Sequence, residues 1–373
     1  MRLLLYINSL AMGGAERVLL KLASHWQRTG HEVIVVTQTP LEQDQLPVPA
    51  GIRRASTHTG GISGHWLRAL VKNAQRVQRL RALLEQWQPD CVVSFLPTAN
   101  VVALLAARRA HIPVIVGERM YPAFLGLGGL QRFARDRHYP GAAAVVVQTE
   151  ESAAWYRDTL ALANLVVIPN GIALPLEDHE PCVEPDSVLP PAAQVVLCIG
   201  RLAEPKRPED AVQAFGLAFA DHPAWHLVLI GDGDKQANVK AAIESSQMTN
   251  RVHWIPRTGN LATWYRRARM CVSVSSAEGF PNVLLEAMAM GCVPLAYNCS
   301  TGPRELIRDG VNGYLVPVGD VRSLSRRMKA MGADEALVAQ LGGRARDVIN
   351  THSDAAFFRR WDAELEKAAP GQR

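Results

Sequence analysis

The chain has no apolar run long enough to cross a bilayer as a helix. Its most apolar stretch, 101–116, is broken by Arg108, Arg109 and His111. The N-terminal run 3–7 is too short for the apolar core of a secretion signal and reads as a first strand. The six cysteines, at 91, 182, 198, 271, 292 and 299, form no C-x-x-C pair. That argues against a zinc site and against a disulfide framework. Three of them, Cys91, Cys198 and Cys271, lie inside apolar runs, so the set reads as reduced, mostly buried thiols of a cytosolic protein. No tract is of low complexity. The G-x-G-x-x-G fingerprint is missing, which disfavours a nicotinamide cofactor. Asp232-Gly233-Asp234 offers two carboxylates, but no nearby His or third acid completes a metal site, and the triplet reads as a turn. No residue stands out as a general base or a covalent nucleophile.

What is present is a chain of 373 residues, enough for two ordinary domains with sizeable cores. Net charge is +5, unevenly spread. Residues 1–170 carry 18 Lys and Arg against 11 Asp and Glu, and the remainder carries 22 against 24. A basic first half suggests an anionic partner there. Short apolar runs alternate with helical patterns throughout. Strands are expected at 2–7, 32–37, 91–95, 114–117, 144–148 and 166–168, then at 195–199, 227–230, 252–255, 270–274 and 293–296. Helical stretches such as 15–29 and 67–87 lie between them. Such alternation over two halves predicts two doubly wound α/β domains with parallel sheets. The turn Ile168-Pro169-Asn170-Gly171 marks the break, followed by a proline-rich, acidic loop over 174–192. The ligand cleft is expected between the domains, at the carboxyl ends of both sheets.

The richest segment is 278–291, E-G-F-P-N-V-L-L-E-A-M-A-M-G. It follows an apolar run and opens a helix for which Pro281 suits the first position. The N–H groups of Asn282, Val283 and Leu284 are expected to be unpaired and to favour an anion. Glu286 could accept two ribose hydroxyls, and Glu278 could face a sugar. The combination predicts a nucleotide-sugar site. Arg201 and Lys206, on the loop after strand 195–199, could hold a pyrophosphate and stabilise a departing nucleoside diphosphate; alone, they could equally be a solvated basic turn. The loop Asn8–Arg17 carries Gly13 and Gly14, whose backbone could approach a phosphate or sugar. Glu16 reads as a helix N-terminal acid. In the helix over 66–87, Arg68, Lys72, Arg76 and Arg79 share a face. That face is either a solvated stripe or one turned to anionic lipid headgroups or a polyphosphate acceptor, and Arg132, Arg135 and Arg137 add to the basic character of the same half.

The order G-G-A-E-R, G-R-x4-K, E-G-F-P-N-V-L-L-E-A and S-T-G-P-R-E-L-I-R-D-G-x-N-G resembles glycosyltransferase family 4. The resemblance runs from Gly13 to Gly313. The stretches 94–100 and 117–122 look like the branch that adds hexoses or N-acetylhexosamines to polyprenyl-pyrophosphate glycans, bacterial N-acetylgalactosaminyltransferases among them. It implies the GT-B fold: two facing Rossmann-like domains with an interdomain cleft. The acceptor domain would span 1–172 and the donor domain 173–351, with a C-terminal helix over 352–373 packing back on the first.

The resemblance further implies retaining transfer from a UDP-linked sugar without a metal or other cofactor. Arg201 and Lys206 would hold the diphosphate, Glu286 the ribose and Glu278 the donor sugar. Gly279, Phe280, Pro281, Asn282 and Val283 would line the donor, Gly14 would lie beneath the diphosphate, and Arg257 would meet the base. Many members carry His where this chain has Arg119; Glu118 and Arg119 become acceptor-side candidates. The expected reaction is front-face displacement, with the leaving phosphate oxygen taking the acceptor's proton. Its expected place is the cytoplasmic face of the cell membrane, held peripherally through the basic first half. The rival readings are a transferase with a small or phosphorylated soluble acceptor, a UDP-sugar 2-epimerase of the same shape, and a nucleotide-binding scaffold without turnover.

Overall fold

The computed structural model describes residues 1–61 and 66–369, and of residues 66–70 the backbone alone. The chain divides into two compact units, Met1–Asn170 with the stretch from Ala355 onward, and Gly171–Asp354.

The first unit is built on a parallel sheet of seven strands: β1 (Arg2–Ile7), β2 (Glu32–Thr37), β3 (Arg53–Ser56), β4 (Cys91–Phe95), β5 (Val114–Gly117), β6 (Ala144–Val147) and β7 (Leu165–Val167). Its order is β3-β2-β1-β4-β5-β6-β7. β1 and β4 are buried on both faces, as continuous apolar strands of a covered parallel sheet must be. The helices are α1 (Gly14–Arg28), α2 (Trp66–Trp87), α3 (Pro97–Ala107), α4 (Gly129–His138) and α5 (Glu150–Leu160).

The second unit has six parallel strands: β8 (Gln194–Ile199), β9 (Trp225–Ile230), β10 (Val252–Ile255), β11 (Met270–Ser273), β12 (Val293–Tyr297) and β13 (Tyr314–Val316). Their order is β10-β9-β8-β11-β12-β13. Its helices are α6 (Pro208–Phe219), α7 (Gln236–Ser245), α8 (Leu261–Arg267), α9 (Asn282–Ala289), α10 (Pro303–Leu306), α11 (Val321–Ala333), α12 (Glu335–Ala345) and α13 (Val348–Thr351).

The last helix, α14 (Asp354–Ala368), sends Phe357, Trp361 and Leu365 into the first unit's core beside Leu3, Trp26 and Phe95. Those three residues recur every fourth position and form one stripe. Asp362 fixes the seat by accepting from Trp26 Nε1 at 2.8 Å and meeting His25 Nε2 at 3.0 Å.

Two strands escape the apolar-run reading. β3 is an edge strand written R-R-A-S, and β13 has three residues. Both pair in register with neighbours that do carry the signal, β2 and β12. Other boundaries shift by a residue or two, as helix and strand ends do.

Candidate active site

In each sheet the chain runs outward from a central strand, then restarts on that strand's other side. The switch falls between β8 and β11 in the second unit and between β1 and β4 in the first. Loops leaving the carboxyl ends of two such strands diverge and leave a crevice.

At the β8/β11 switch the two loops are stitched together. Lys206 Nζ donates to Glu278 Oε1 at 2.6 Å, with the lysine side chain 29% exposed and the glutamate 10%. Ser276 donates its N–H to Pro205 O at 2.9 Å and its hydroxyl to the same oxygen at 3.2 Å. Arg201 is exposed and lines the same crevice as Lys206, Ser273 and Ser275. The loop after β12 closes on this pair: Thr301 Oγ1 donates to Glu278 O at 2.5 Å. Gly302 has φ of +96°, and a Cβ there would sit 3.0 Å from Pro281 Cδ and 3.1 Å from Glu278 Cβ, so both backbone and space require glycine. Gly231, at φ +148°, is under the same pressure, because a Cβ would run into the Gly200 carbonyl.

Glu286 lies on the second turn of α9, where Tyr265 OH donates to its Oε2 at 2.9 Å. Burial, and then the Glu286 charge, push the Tyr265 pKa far up, so the phenol remains a donor. The Glu286 carboxylate is thereby oriented and only half-buried. Phe280 and Pro281 are buried, and the Phe280 ring packs near His352. This turn can therefore meet a ligand only through its backbone and through Gly279, Asn282 and Val283.

One expectation is corrected. α9 starts at Asn282 with Pro281 as its cap, one residue later than anticipated. The amides of Asn282 and Leu284 are not unpaired: they donate to Phe280 O at 3.1 Å and Pro281 O at 3.0 Å. The Pro281 backbone (φ −86°, ψ 78°) curls the entry into a tight turn that consumes both donors. Cationic side chains, rather than a full set of free amides, supply the positive end of this crevice. Arg257 is exposed beyond the tip of β10, two strands from β8, and is not brought to the Lys206–Glu278 pair.

A larger cavity of about 470 Å³ lies at the opposite end of the same sheet, where Gln194, Arg269 and Gly291 begin or precede strands. Two of its four arginines are spent on structure. Arg267 caps Ala193 O at 2.7 Å, and Arg269 pairs with Glu335 at 2.9 Å. The polar convergence lies instead at the carboxyl ends.

In the first unit the switch is spanned by Asn8, whose Nδ2 donates to Thr98 Oγ1 at 3.1 Å and whose Oδ1 accepts from Gln38 at 2.9 Å. Gly14 opens α1 and is exposed; Glu16 folds back so closely that a Cβ at Gly13 would strike its carboxylate. Glu118 and Arg119 follow β5 and are buried, at 1% and 8% exposure. Tyr139 OH donates to Glu118 Oε1, and Asn100 Nδ2 reaches the same oxygen at 3.3 Å. Burial pushes the Glu118 carboxyl up to about 7 against the lowering pull of Tyr139, Arg135, Asn100 and Arg119. Arg119 donates to Asn170 and lies 5.0 Å over the Phe95 ring; burial lowers it to about 9, so it stays charged at neutral pH.

The stripe on α2 is broken up. Arg68 lies outside the residues whose side chains are described. Arg76 turns inward, donating to Thr59 O at 3.2 Å and Gly61 O at 2.9 Å. Arg79 is exposed, and Lys72 half-buried.

A model of the glycosyl transferase 4-like domain matches residues 13–171, and a model of glycosyl transferases group 1 matches residues 184–348. Between them they take in most of the chain. The chain carries a glycosyl transferase 4-like domain followed by a group 1 glycosyl transferase domain. Among curated relatives, an exopolysaccharide phosphotransferase of Streptomyces coelicolor is 31% identical over 226 residues, 60% of this chain and 23% of its own length. The chain thus spans under a quarter of that protein. A Campylobacter jejuni α-1,4-N-acetyl-D-galactosaminyltransferase, named for an undecaprenol-linked acceptor, is 24% identical over 93% of both chains. Two solved structures share the fold: sucrose-phosphate synthase of Thermosynechococcus elongatus (TM-score 0.83, 18% identity, 98% of this chain and 99% of that one) and Anabaena HepE in complex with UDP (0.79, 20%, 98% and 100%). The fold of this glycosyltransferase is GT-B, with its two parallel sheets.

Sequence reasoning missed the residues that hold the site rather than touch a ligand: Ser276, Thr301, Gly302 and Tyr265. Thr301 and Gly302 sat in the S-T-G-P motif, and a glycine just after a strand end was the available signal. Nothing in the periodicity marked Tyr265 as the partner of Glu286.

Proposed function

We propose that the chain is a retaining glycosyltransferase moving a hexose or N-acetylhexosamine from a UDP-sugar to a lipid-linked glycan acceptor in cell-surface polysaccharide assembly. The observation that carries this is the Lys206–Glu278 pair at the β8/β11 switch, with Arg201 in the same crevice and Glu286 held by Tyr265. An ammonium has three donors. Glu278 takes one, and the others are available to a diphosphate oxygen. Arg201 adds a second cation. Together they neutralise the charge that grows on the departing nucleoside diphosphate, and no metal is required for that task. The C1–O bond to phosphate breaks, the bond from C1 to the acceptor oxygen forms on the same face, and the acceptor's proton passes to the leaving phosphate oxygen. Glu278 orients the donor sugar and Glu286 the ribose. The UDP of the HepE complex supports the choice of base, and the undecaprenol-linked substrate in the Campylobacter relative's name supports the choice of acceptor.

Glu118 and Arg119, buried at the end of β5, belong to the acceptor side, and exposed basic residues of the first unit, Arg132 and Arg137 among them, serve an anionic membrane surface at the cytoplasmic face. Among the described residues no helix is long and apolar enough to cross a membrane.

Thermal-shift screening against UDP- and GDP-sugars, followed by transfer of the radiolabelled sugar in the presence of excess EDTA, tests this reading. UDP-sugars should raise the melting temperature, and label should enter the lipid extract. Label found only in the water-soluble fraction would favour a small acceptor. Interconversion of the donor without incorporation would favour an epimerase, and loss of transfer in EDTA would overturn metal independence.

A further inference from the structure

Large apolar side chains are seldom left in solvent, and four of those that are exposed lie within one short stretch of the first unit. Met120 is 49% exposed, Phe124 46%, Leu130 54% and Phe133 67%. Phe133 is the most exposed large apolar residue among those described. The stretch is locally folded. Tyr121 and Phe124 pack ring to ring at 5.4 Å, and Pro122, Ala123 and Leu127 share the walls of one recess with Arg132, Arg135 and Trp155. On α4, Leu130, Phe133 and Arg137 fall three and four residues apart and form one outward stripe. The other side of α4 is anchored: Arg135 is buried, paired with Asp136 at 2.8 Å, and lies over the Trp155 ring at 5.2 Å.

The apolar stripe is rimmed by cations. Arg132 and Arg137 are exposed on the same helix. Arg108 is exposed at the end of α3 and lies close enough to His138 that it and Arg137 add to burial in lowering the His138 pKa. The α2 stripe is a poorer candidate, because Arg76 is committed to the carbonyls of Thr59 and Gly61.

We propose that Phe124, Leu130 and Phe133, with Arg132 and Arg137, form the membrane-docking surface of this protein, and that its occupant is an anionic lipid bilayer. Aromatic and aliphatic side chains enter the headgroup boundary while the arginines meet lipid phosphates. Charge complementarity selects this occupant. A two-fold contact with a second copy would bring the same arginines face to face. An apolar protein partner would leave the cationic rim unmatched. The inference rests on the membrane-facing part of the proposed function but not on its sugar chemistry.

Flotation with phosphatidylglycerol-containing vesicles and with pure phosphatidylcholine vesicles, at low salt, tests it. The wild-type chain should float with the anionic vesicles and much less with the zwitterionic ones. The Arg132→Gln/Arg137→Gln pair should lower partition about fivefold per charge lost. The triple variant Phe124→Ser/Leu130→Ser/Phe133→Ser should lose flotation even where the charges remain. The Lys72→Gln/Arg79→Gln pair on α2 should float like wild type. A wild-type calorimetric transition of the first unit establishes that the variants are folded, and UDP-induced thermal shifts on the same variants separate a failure of docking from a failure of the nucleotide site. Undiminished flotation of the triple variant would overturn the assignment. So would equal wild-type binding to both vesicle types, or a wild-type dimer in light scattering that the triple variant abolishes.

Discussion

Glu118 shows how much a single buried carboxyl can bias the molecule. It is sealed behind β5, with Tyr139 and Asn100 on one oxygen, and its second oxygen has no hydrogen-bond partner among the described residues. Its pKa stands near 7 in the folded chain against 4.5 for the free group. The folded state therefore keeps a proton that the unfolded chain has lost between those two values. The contribution of Glu118 to the unfolding free energy should be full below about pH 4.5, fall as pH rises, and level off above about pH 7, a loss of about 3 kcal/mol. Chemical denaturation at pH 5 and pH 8 checks this. Glu118→Gln should remove most of the difference, whereas a variant with the wild-type slope would show that other groups carry it. At the same scale, the legible residues were those whose charge and spacing carry the proposed donor site. Arg201, Lys206, Glu278 and Glu286 stood out by type and spacing. Ser276, Thr301 and Tyr265 did not, because a hydroxyl that holds a neighbouring backbone or carboxylate leaves no pattern along the chain.

Among the elements, α14 joins the end of the chain to the first unit's core. Trp361 is fully buried against Trp26, Phe95 and Phe357. Trp361→Ala should remove about 3–5 kcal/mol from that unit. Calorimetry would show this as an early transition of the first unit while the second unit's transition holds its place; an unchanged thermogram would mean that the helix is not needed by the core. Central strands were legible because a parallel strand covered on both faces must be apolar throughout, as β1 and β4 are. β3 was not. It lies at the edge and carries Arg53 and Arg54, and Arg54 is held by a loop residue rather than by apolar packing, pairing with Asp44 at 2.9 Å. The free first-turn amides expected on α9 failed for a comparable reason. The tight turn at Pro281 depends on the loop carrying Gly302 pressing against it, a contact that no local motif encodes.

For the whole molecule, each unit repeats one device: a doubly wound sheet whose switch point gathers polar side chains from two diverging loops. The first unit places neutral Asn8, Thr98 and Gln38 there, and the second places Arg201, Lys206 and Glu278. That difference is why the proposed function puts the diphosphate in the second unit. The first unit's exposed cations Arg108, Arg132 and Arg137 suit the broad anionic surface proposed for it better than a small ligand. The account is tested most directly by calorimetric titration of UDP into the wild-type chain and into Arg201→Ala and Lys206→Ala. The prediction is one site on the wild type, weakened about a hundredfold by either substitution, since each removes a charge-assisted contact of roughly 3 kcal/mol. Wild-type affinity for UDP in both variants would contradict it.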